Sequence, residues 1–316
     1  MTFQDVYDEW WAIHSKTVKP STQTFVQSKI MKHIIPRFGK LKIRDITKGY
    51  CQRVINEIAD QIKSANDIRI QANQVFKYAV KMDYIAQNPM EYTVVPKQED
   101  EFLADQEEDR NFWIKEEINN FLSLAKEQLH IKDYVLFYLL VYTGMRKGEL
   151  IALEWKDIDL DKNKISINKT MFFKNGKEVI QKAKKKTSMR TIHIDNVTAN
   201  LLRKWRIQQK EWLFSVGMQP EVTNVVTRAD MRPLRLAYPN DKLKGIIKRN
   251  NLPSITIHGF RHSHASLLFE AGATIKEVQD RLGHKDIQTT MNVYAHVTDS
   301  LKDKTADRFQ KFMDSE

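Results

Sequence analysis

The stretch from Lys97 to Asp109 constrains most strongly what this chain can fold into. It carries seven acids (Glu99, Asp100, Glu101, Asp105, Glu107, Glu108 and Asp109) against the single Lys97, and the hydrophobic periodicity found on either side of it stops. A segment that repels itself and offers no apolar face is solvated rather than packed. It therefore splits the 316 residues in two, in keeping with about 150 residues per domain. The expected organisation is a helical domain over 1–96, an acidic linker over 97–110 and a second domain over 111–316 that ends in a tail helix. The competing reading is an acidic loop inside one domain, and the change of pattern across it favours the linker.

The first part reads as four helices. Phe3, Val6, Tyr7, Trp10 and Trp11 form one stripe; Phe25, Ile30, Ile34 and Ile35 form a second behind a cap at Ser21, and Pro36 and Gly39 are expected to end that pair. Thr47 can cap a third helix with Cys51, Val54, Ile55, Ile58 and Ile62, and a fourth runs through Ile68, Ala72, Val75, Phe76, Ala79 and Val80 to a stop at Asn88-Pro89. In the second part Ile114, Ile118, Phe121, Leu122, Ala125 and Leu129 mark an amphipathic helix, and Tyr134 to Tyr142 a buried one. Three short strands follow at Lys164–Ile167, Glu178–Ile180 and Arg190–Ile194. The rest is helical, with a capping box at Thr274–Glu277 and helix stops at Gly272 and Gly283. The fold class is mainly α with a small antiparallel β-sheet, an α+β chain.

Charge narrows the partner. Lys and Arg number 51 against 40 Asp and Glu, a net +11 and an isoelectric point near 9.4, which favours a polyanion and nucleic acid first. An acidic membrane surface would call for a basic amphipathic anchor or a lipidation signal, and neither is visible. The longest apolar run, Tyr134 to Tyr142, is about half the roughly 18 residues of a spanning helix. Asp5, Asp8 and Glu9 stand where a signal peptide would be basic and then apolar, and one cysteine, Cys51, excludes an internal disulfide framework. The expectation is a cytoplasmic protein without a membrane partner.

Several residues could carry chemistry. In Thr143-Gly144-Met145-Arg146-Lys147-Gly148-Glu149 a helix is expected to begin near Gly144, setting Arg146 in the first turn, where the helix dipole disfavours a cation. His258 and Arg261 repeat the arrangement within Thr256–His262. Two helix starts that each bear an arginine make a site for one phosphate; the bland alternative for either is a surface ion pair, with Glu149 for example. His258, His262 and His264 suggest zinc, but Gly259 stands where a protease-type zinc helix has Glu and no thiolate set exists, so no metal is expected. Tyr294 shares a helical face with Ile287 and Met291, and taken alone it reads as a core tyrosine.

Together these residues resemble the signature of the tyrosine recombinase (phage integrase) family: an Arg in T-G-x-R-x-x-E-L, a Lys in a β-hairpin, an H-x-x-R pair, a His or Trp after L-G, and a Tyr shortly downstream. Thr143 to Leu150, His258 to Arg261, Leu282-Gly283-His284 and Tyr294 match in order. Within Lys182-Ala183-Lys184-Lys185-Lys186-Thr187-Ser188-Met189-Arg190 the family's lysine aligns with Lys184, with Lys186 as runner-up. The resemblance spans Phe112 to Val297 in detail and looks most like integrases of Gram-positive phages and conjugative elements.

The resemblance implies an N-terminal four-helix core-binding bundle joined to a catalytic domain that cuts and rejoins DNA without metal, cofactor or ATP. Tyr294 would be the nucleophile of a 3′-phosphotyrosyl intermediate; Arg146, Arg261 and His284 would hold the non-bridging oxygens; His258 would move the tyrosine's proton; Lys184 would protonate the 5′-oxygen. The implied partners are double-stranded DNA core sites and further copies of the chain, as a tetramer on DNA, with room for an excisionase or a DNA-bending host factor. The implied location is the bacterial cytoplasm, at the nucleoid. Two alternatives share the scaffold: a type IB topoisomerase-like nicking-closing enzyme, and a non-catalytic DNA-binding regulator, whose usual mark would be a lost nucleophile or arginine. Many integrases carry an arm-binding domain ahead of the bundle, whereas Thr2 to Val6 opens the first helix at once. The stripe Leu301, Ala306, Phe309, Phe312 and Met313 is expected to pack in cis or to dock on a neighbouring copy.

Overall fold

The computed structural model describes residues 1–96, 110–174, 177–182, 189–217, 223–294 and 313–314. Lys184, Lys186, all of the acidic linker except Arg110, and the tail stripe from Leu301 to Phe312 lie outside them. The chain divides into two compact units, Met1–Asp109 with Phe173–Lys177, and Arg110–Phe172 with Glu178–Glu316.

In the first unit α1 (Phe3–Thr17) opens with a capping box. Thr2 Oγ1 accepts from the Asp5 N–H at 3.2 Å, and the Asp5 carboxylate accepts from the Thr2 N–H at 2.7 Å. α2 (Pro20–Lys29) is capped at Lys19, not at Ser21: Pro20 takes the first helical position, which suits its fixed φ and missing N–H. The chain then runs through a π-helical turn, Ile30–Ile34, into α3 (Ile35–Phe38), so Pro36 lies inside the helical run instead of ending it. The wider turn, with the Ile35 N–H donating to Ile30 O, is a place where a ring without an N–H can be taken up. The buried face is Val26, Ile30 and Ile34, at i, i+4, i+8, and Phe25 is exposed. α4 (Lys48–Gln61) is capped by Thr47 as the sequence suggests, and α5 (Ala65–Lys81) stops at Met82, short of Asn88-Pro89. Phe3, Phe38, Cys51, Ile55, Ile68 and Phe76 form the centre of this unit's core.

The second unit begins with α6 (Lys115–Gln128) and α7 (Ile131–Thr143), followed by the short α8 (Lys147–Ile151). Five strands follow among the described residues, where the sequence suggests three. β1 (Ile158–Asp159), β2 (Lys164–Ile167) and β5 (Arg190–His193) make an antiparallel sheet in the order β1-β2-β5, with Ile165 opposite Ile192 and Ile167 opposite Arg190. β3 (Lys169–Lys174) and β4 (Lys177–Lys182) form a separate two-stranded sheet. β1 is too short to show a period, and the Phe172-Phe173 pair interrupts the alternation of β3.

Among the described residues four helices follow: α9 (Asn196–Ser215), α10 (Tyr238–Asn250), α11 (Gly259–Glu270) and α12 (Ile275–Leu282), with residues 287–294 also helical. α11 is clamped along its length. Near its start the Phe260 ring meets Trp113, Phe121 and Phe137 at centroid distances of 5.6, 5.2 and 6.0 Å, pairs worth about 0.5–1.5 kcal/mol each beyond their buried area. Further along, Ala265 and Phe269 pack with Val278, Leu282 and Val293. Among the described residues no helix is long and apolar enough to cross a membrane.

Candidate active site

Each residue of the Thr143–Leu150 motif answers a local demand. Gly144 caps the C-terminus of α7 in the left-handed region (φ +62), so it ends one helix where the sequence suggests it begins another. A Cβ there would stand 2.6 Å from both the His264 ring and the Leu282 side chain, so glycine is required by conformation and by space. Arg146 follows in extended conformation as the cap residue of α8, just ahead of the first turn. At Gly148 a Cβ would meet Met171 O at 2.4 Å, which brings α8 directly onto β3.

Glu149 then fixes Arg146. Its carboxylate accepts from the Arg146 N–H at 2.9 Å, from Arg146 Nη1 at 2.9 Å and from both terminal nitrogens of Arg190 at 3.1 and 2.8 Å. Burial alone would raise this carboxyl, but the bonds and charge of Arg190, and then Arg146, outweigh it and hold it down at about 2. The surface-pair alternative is thus correct in naming Glu149, although the carboxylate is buried and shared between two guanidiniums.

Arg261 is held differently. The residue is 2% exposed, Nη1 donates to Gly144 O at 2.8 Å and Nη2 to Leu282 O at 2.7 Å, while among the described residues Nε has no hydrogen-bond partner. Both carbonyls lie at helix C-termini, α7 and α12, where the dipole is negative and a cation is welcome. Burial lowers the guanidinium's pKa, and the charges of Arg146 and Arg190 lower it further.

The histidines surround this charge. His258, the cap residue of α11, is pushed down to about 4 by desolvation and by the charges of His262, Arg261 and Arg146; its ring stands edge-on to His262 at 4.8 Å. His284, just beyond the left-handed Gly283, is pushed down to about 4 by desolvation, then by Arg261, Arg146, His262 and His258, and its Nδ1 lies 2.8 Å from Thr290 Oγ1. Both rings are neutral at pH 7. His264 belongs to the scaffold: it is buried, its Nδ1 lies 2.8 Å from Val141 O and its Nε2 accepts from Arg281 Nε at 3.0 Å. Among the described residues no three His, Cys, Asp or Glu side chains gather as a metal site.

Arg146, Arg261, His258 and His284 therefore stand within one field of charge, together with His262 and Arg190. Tyr294 is half-buried at the edge of the Phe269 cluster, its ring edge-on to Phe269 at a centroid distance of 5.0 Å. Phe269 is eight residues beyond Arg261 on α11, about 12 Å along the axis. Ile287 and Met291 are exposed, and Thr290 and Val293 are the residues that face inward, so the core reading of the Tyr294 face is corrected by one residue's rotation.

Two residues of the site went unnoticed in the sequence, Arg190 and Thr290. Arg190 left a signal: in the alternating strand Arg190-Thr191-Ile192-His193-Ile194 it falls on the face of Ile192 and Ile194, and a charge on a buried face demands a partner. Besides Glu149 it reaches Arg281 O through Nε at 2.9 Å, and its side chain lies against Gly283. It thereby joins the Arg146 motif to the His284 turn.

With this geometry described, comparison with known proteins gives the class. The profile described as "Phage integrase family" matches residues 112–300, and "Phage integrase, N-terminal SAM-like domain" matches residues 2–59. The ICEBs1 integrase of Bacillus subtilis (strain 168) is 30% identical over 289 residues, covering 90% of this chain and 76% of its own length. The integrase of Staphylococcus phage L54a is 29% identical over 340 residues, covering 99% and 94%. In fold, the Tn1549 transposon integrase solved with a circular intermediate DNA superposes with a TM-score of 0.78 at 20% identity, covering 96% of this chain and 99% of that one. A lambda integrase dimer on a COC′ core site gives 0.67 at 21%, covering 92% and 97%. The protein is a tyrosine site-specific recombinase. Within that class, the chain belongs to the phage integrase family.

Proposed function

We propose that the chain integrates and excises a mobile element by cutting and rejoining double-stranded DNA at core attachment sites, through a 3′-phosphotyrosyl bond on Tyr294. The observation that carries this reading is Arg261: a buried guanidinium oriented by two neutral carbonyls and, among the described residues, with no carboxylate of its own and with Nε unpaired. Among the described residues Arg146, Arg190 and Arg261 against Glu149, with the histidines neutral, leave two net positive charges, to which a protonated Lys184 adds a third. A phosphodiester brings one negative charge, and the pentavalent state formed by tyrosinate attack brings a second. The site is therefore better matched to the transition state than to the bound substrate.

The roles follow from chemistry. Tyr294 Oη attacks phosphorus while His258 takes its proton; the neutral ring accepts more readily once the scissile phosphate is beside it, because an adjacent anion favours the charged form. The bond from phosphorus to the 5′-oxygen breaks, and that oxygen takes a proton from Lys184. Arg146, Arg261 and His284 bind the non-bridging oxygens. The free 5′-hydroxyl of a partner strand then attacks the phosphotyrosine in reverse, so no ATP is consumed. Copies of the chain assemble on paired sites, in keeping with the lambda integrase tetramer solved on a Holliday junction, and the activity resides with the DNA in the cytoplasm.

The test is a nicked attachment-site duplex taken from the element's own ends, which traps the covalent adduct as the short 5′-hydroxyl strand diffuses away. The wild type accumulates adduct; Tyr294→Phe forms none while binding DNA within a few-fold. An adduct in Tyr294→Phe moves the nucleophile elsewhere. A 5′-bridging sulfur then assigns the lysine, since a thiolate leaves without the proton an alkoxide needs. Lys184→Ala regains cleavage on that substrate; rescue of Lys186→Ala instead shifts the assignment by two residues.

A further inference from the structure

Thr290 is fully buried, and its Oγ1 lies 2.8 Å from Nδ1 of His284. Among the described residues this ring nitrogen is the hydroxyl's one partner, although a hydroxyl has a proton to give as well as lone pairs to offer. Two arrangements are open. If Nδ1 carries the ring proton, it donates to Oγ1, and the threonine's own proton is buried without an acceptor. If Nδ1 carries the lone pair, the hydroxyl donates to it and both groups are satisfied. Polar hydrogens buried without acceptors are rare because nothing offsets their desolvation, so the second arrangement prevails.

A neutral imidazole has one N–H, which must then sit on Nε2. The ring is neutral at pH 7, as its lowered pKa requires, and it stands within electrostatic reach of Arg261 and Arg146. Among the described residues Nε2 has no protein partner. The opposite tautomer would turn a lone pair toward any anion bound there and repel it. Thr290 also lies four residues before Tyr294 in the helical run 287–294, so the two share a face.

We infer that Thr290 is a positioning residue: it holds His284 in the tautomer protonated at Nε2, so that the ring presents a hydrogen-bond donor to the scissile phosphate. The inference rests on the reading of His284 as a phosphate ligand given above. Thr290 itself touches no reacting atom.

The test uses the full chain with 15N-labelled histidine at pH 7, where long-range proton–nitrogen correlation separates lone-pair from protonated ring nitrogens. The His284 signals are assigned by their loss in His284→Gln. Expected are protonated Nε2 and unprotonated Nδ1 in the wild type and in Thr290→Ser, and a mixture of tautomers in the near-isosteric Thr290→Val. On the nicked duplex, Thr290→Val cleaves about tenfold more slowly, the effect of one lost hydrogen bond, with half-saturating DNA changed less than about twofold and the rate restored by Thr290→Ser. A proton on Nδ1 in the wild type overturns the inference, as does an unchanged tautomer in Thr290→Val. Wild-type cleavage by His284→Ala overturns the donor reading beneath it, and is told apart because the spectra of wild type and Thr290→Val still differ.

Discussion

The two motif arginines are held by opposite means. Arg261 is 2% exposed and is bound by carbonyl oxygens, which orient the guanidinium without cancelling its charge. Arg146 has a side chain 43% exposed and is bound by a carboxylate, which orients it and also neutralises it in part. A buried cation needs fixed partners because water cannot solvate it, and helix C-termini supply them at no cost in net charge. A half-exposed cation is already solvated, so an ion pair mainly restricts its rotamers and adds little stability. The two guanidiniums lie within each other's field, and that of Arg261 also ties the C-terminal ends of α7 and α12 together.

That difference predicts a split between catalysis and stability. Each of Arg146→Ala and Arg261→Ala should cost about 10²–10³-fold or more in cleavage of the nicked duplex, the usual effect of removing one preorganised donor. Urea unfolding should separate them. Arg261→Ala leaves Gly144 O and Leu282 O buried without donors and should lower stability by about 2–4 kcal/mol. Arg146→Ala leaves Glu149 its bonds to Arg190 and should change stability by less than about 1 kcal/mol. Equal losses of stability would break the distinction.

Glu149 sharpens it. Its pKa falls from 4.5 to about 2 on folding, and a carboxyl with a depressed folded-state pKa contributes stability that is present above the unfolded value and is lost as pH falls through the folded one. At 1.36 kcal/mol per unit the contribution is about 3 kcal/mol. Wild-type stability should therefore decline between pH 4.5 and about 2, and Glu149→Gln should flatten the urea midpoint across that window. A decline of the same size in Glu149→Gln would mean that other carboxylates carry the acid sensitivity.

Much of this site was legible in the sequence because its motifs are steric as well as chemical. Gly144 and Gly283 stand where a Cβ would strike Leu282 or Arg190, so their spacing to Arg146 and His284 could be read without coordinates. The bundle was legible for a similar reason, its stripes at i, i+3 and i+4 being one-dimensional records of a buried face. What escaped depends on contacts between segments far apart in the chain. Arg190 looks like one more cation in a basic hairpin until Glu149, 41 residues away, is placed beside it. Pro36 looks like a helix stop until the π-helical turn ahead of it is known, because sequence period does not reveal a change of helical pitch. Lys184 and Lys186 stand two residues apart in a run of repeated lysines, where no hydrophobic pattern of the sequence separates them.

The smallest expected effect concerns the histidines, and it divides the site along the same line. If Arg146 and Arg261 supply the positive charge, His258 and His284 are required as neutral groups, one accepting a proton and one donating a hydrogen bond. Both are pushed down to about 4, first by desolvation and then by neighbouring cations. In the free protein they therefore stay neutral as pH falls from 8 to about 5. Cleavage at subsaturating DNA, which reports ionisations of the free protein, should show no acid limb at the ordinary histidine value near 6.5. Its limb should appear near 4. Replacing Arg146 with Gln removes one of the charges that depress both rings, so the limb should move upward toward the ordinary value, slightly, because desolvation remains the larger cause. A wild-type limb near 6.5 would mean that a histidine works as a cation in the free site, sharing the charge here given to the two arginines.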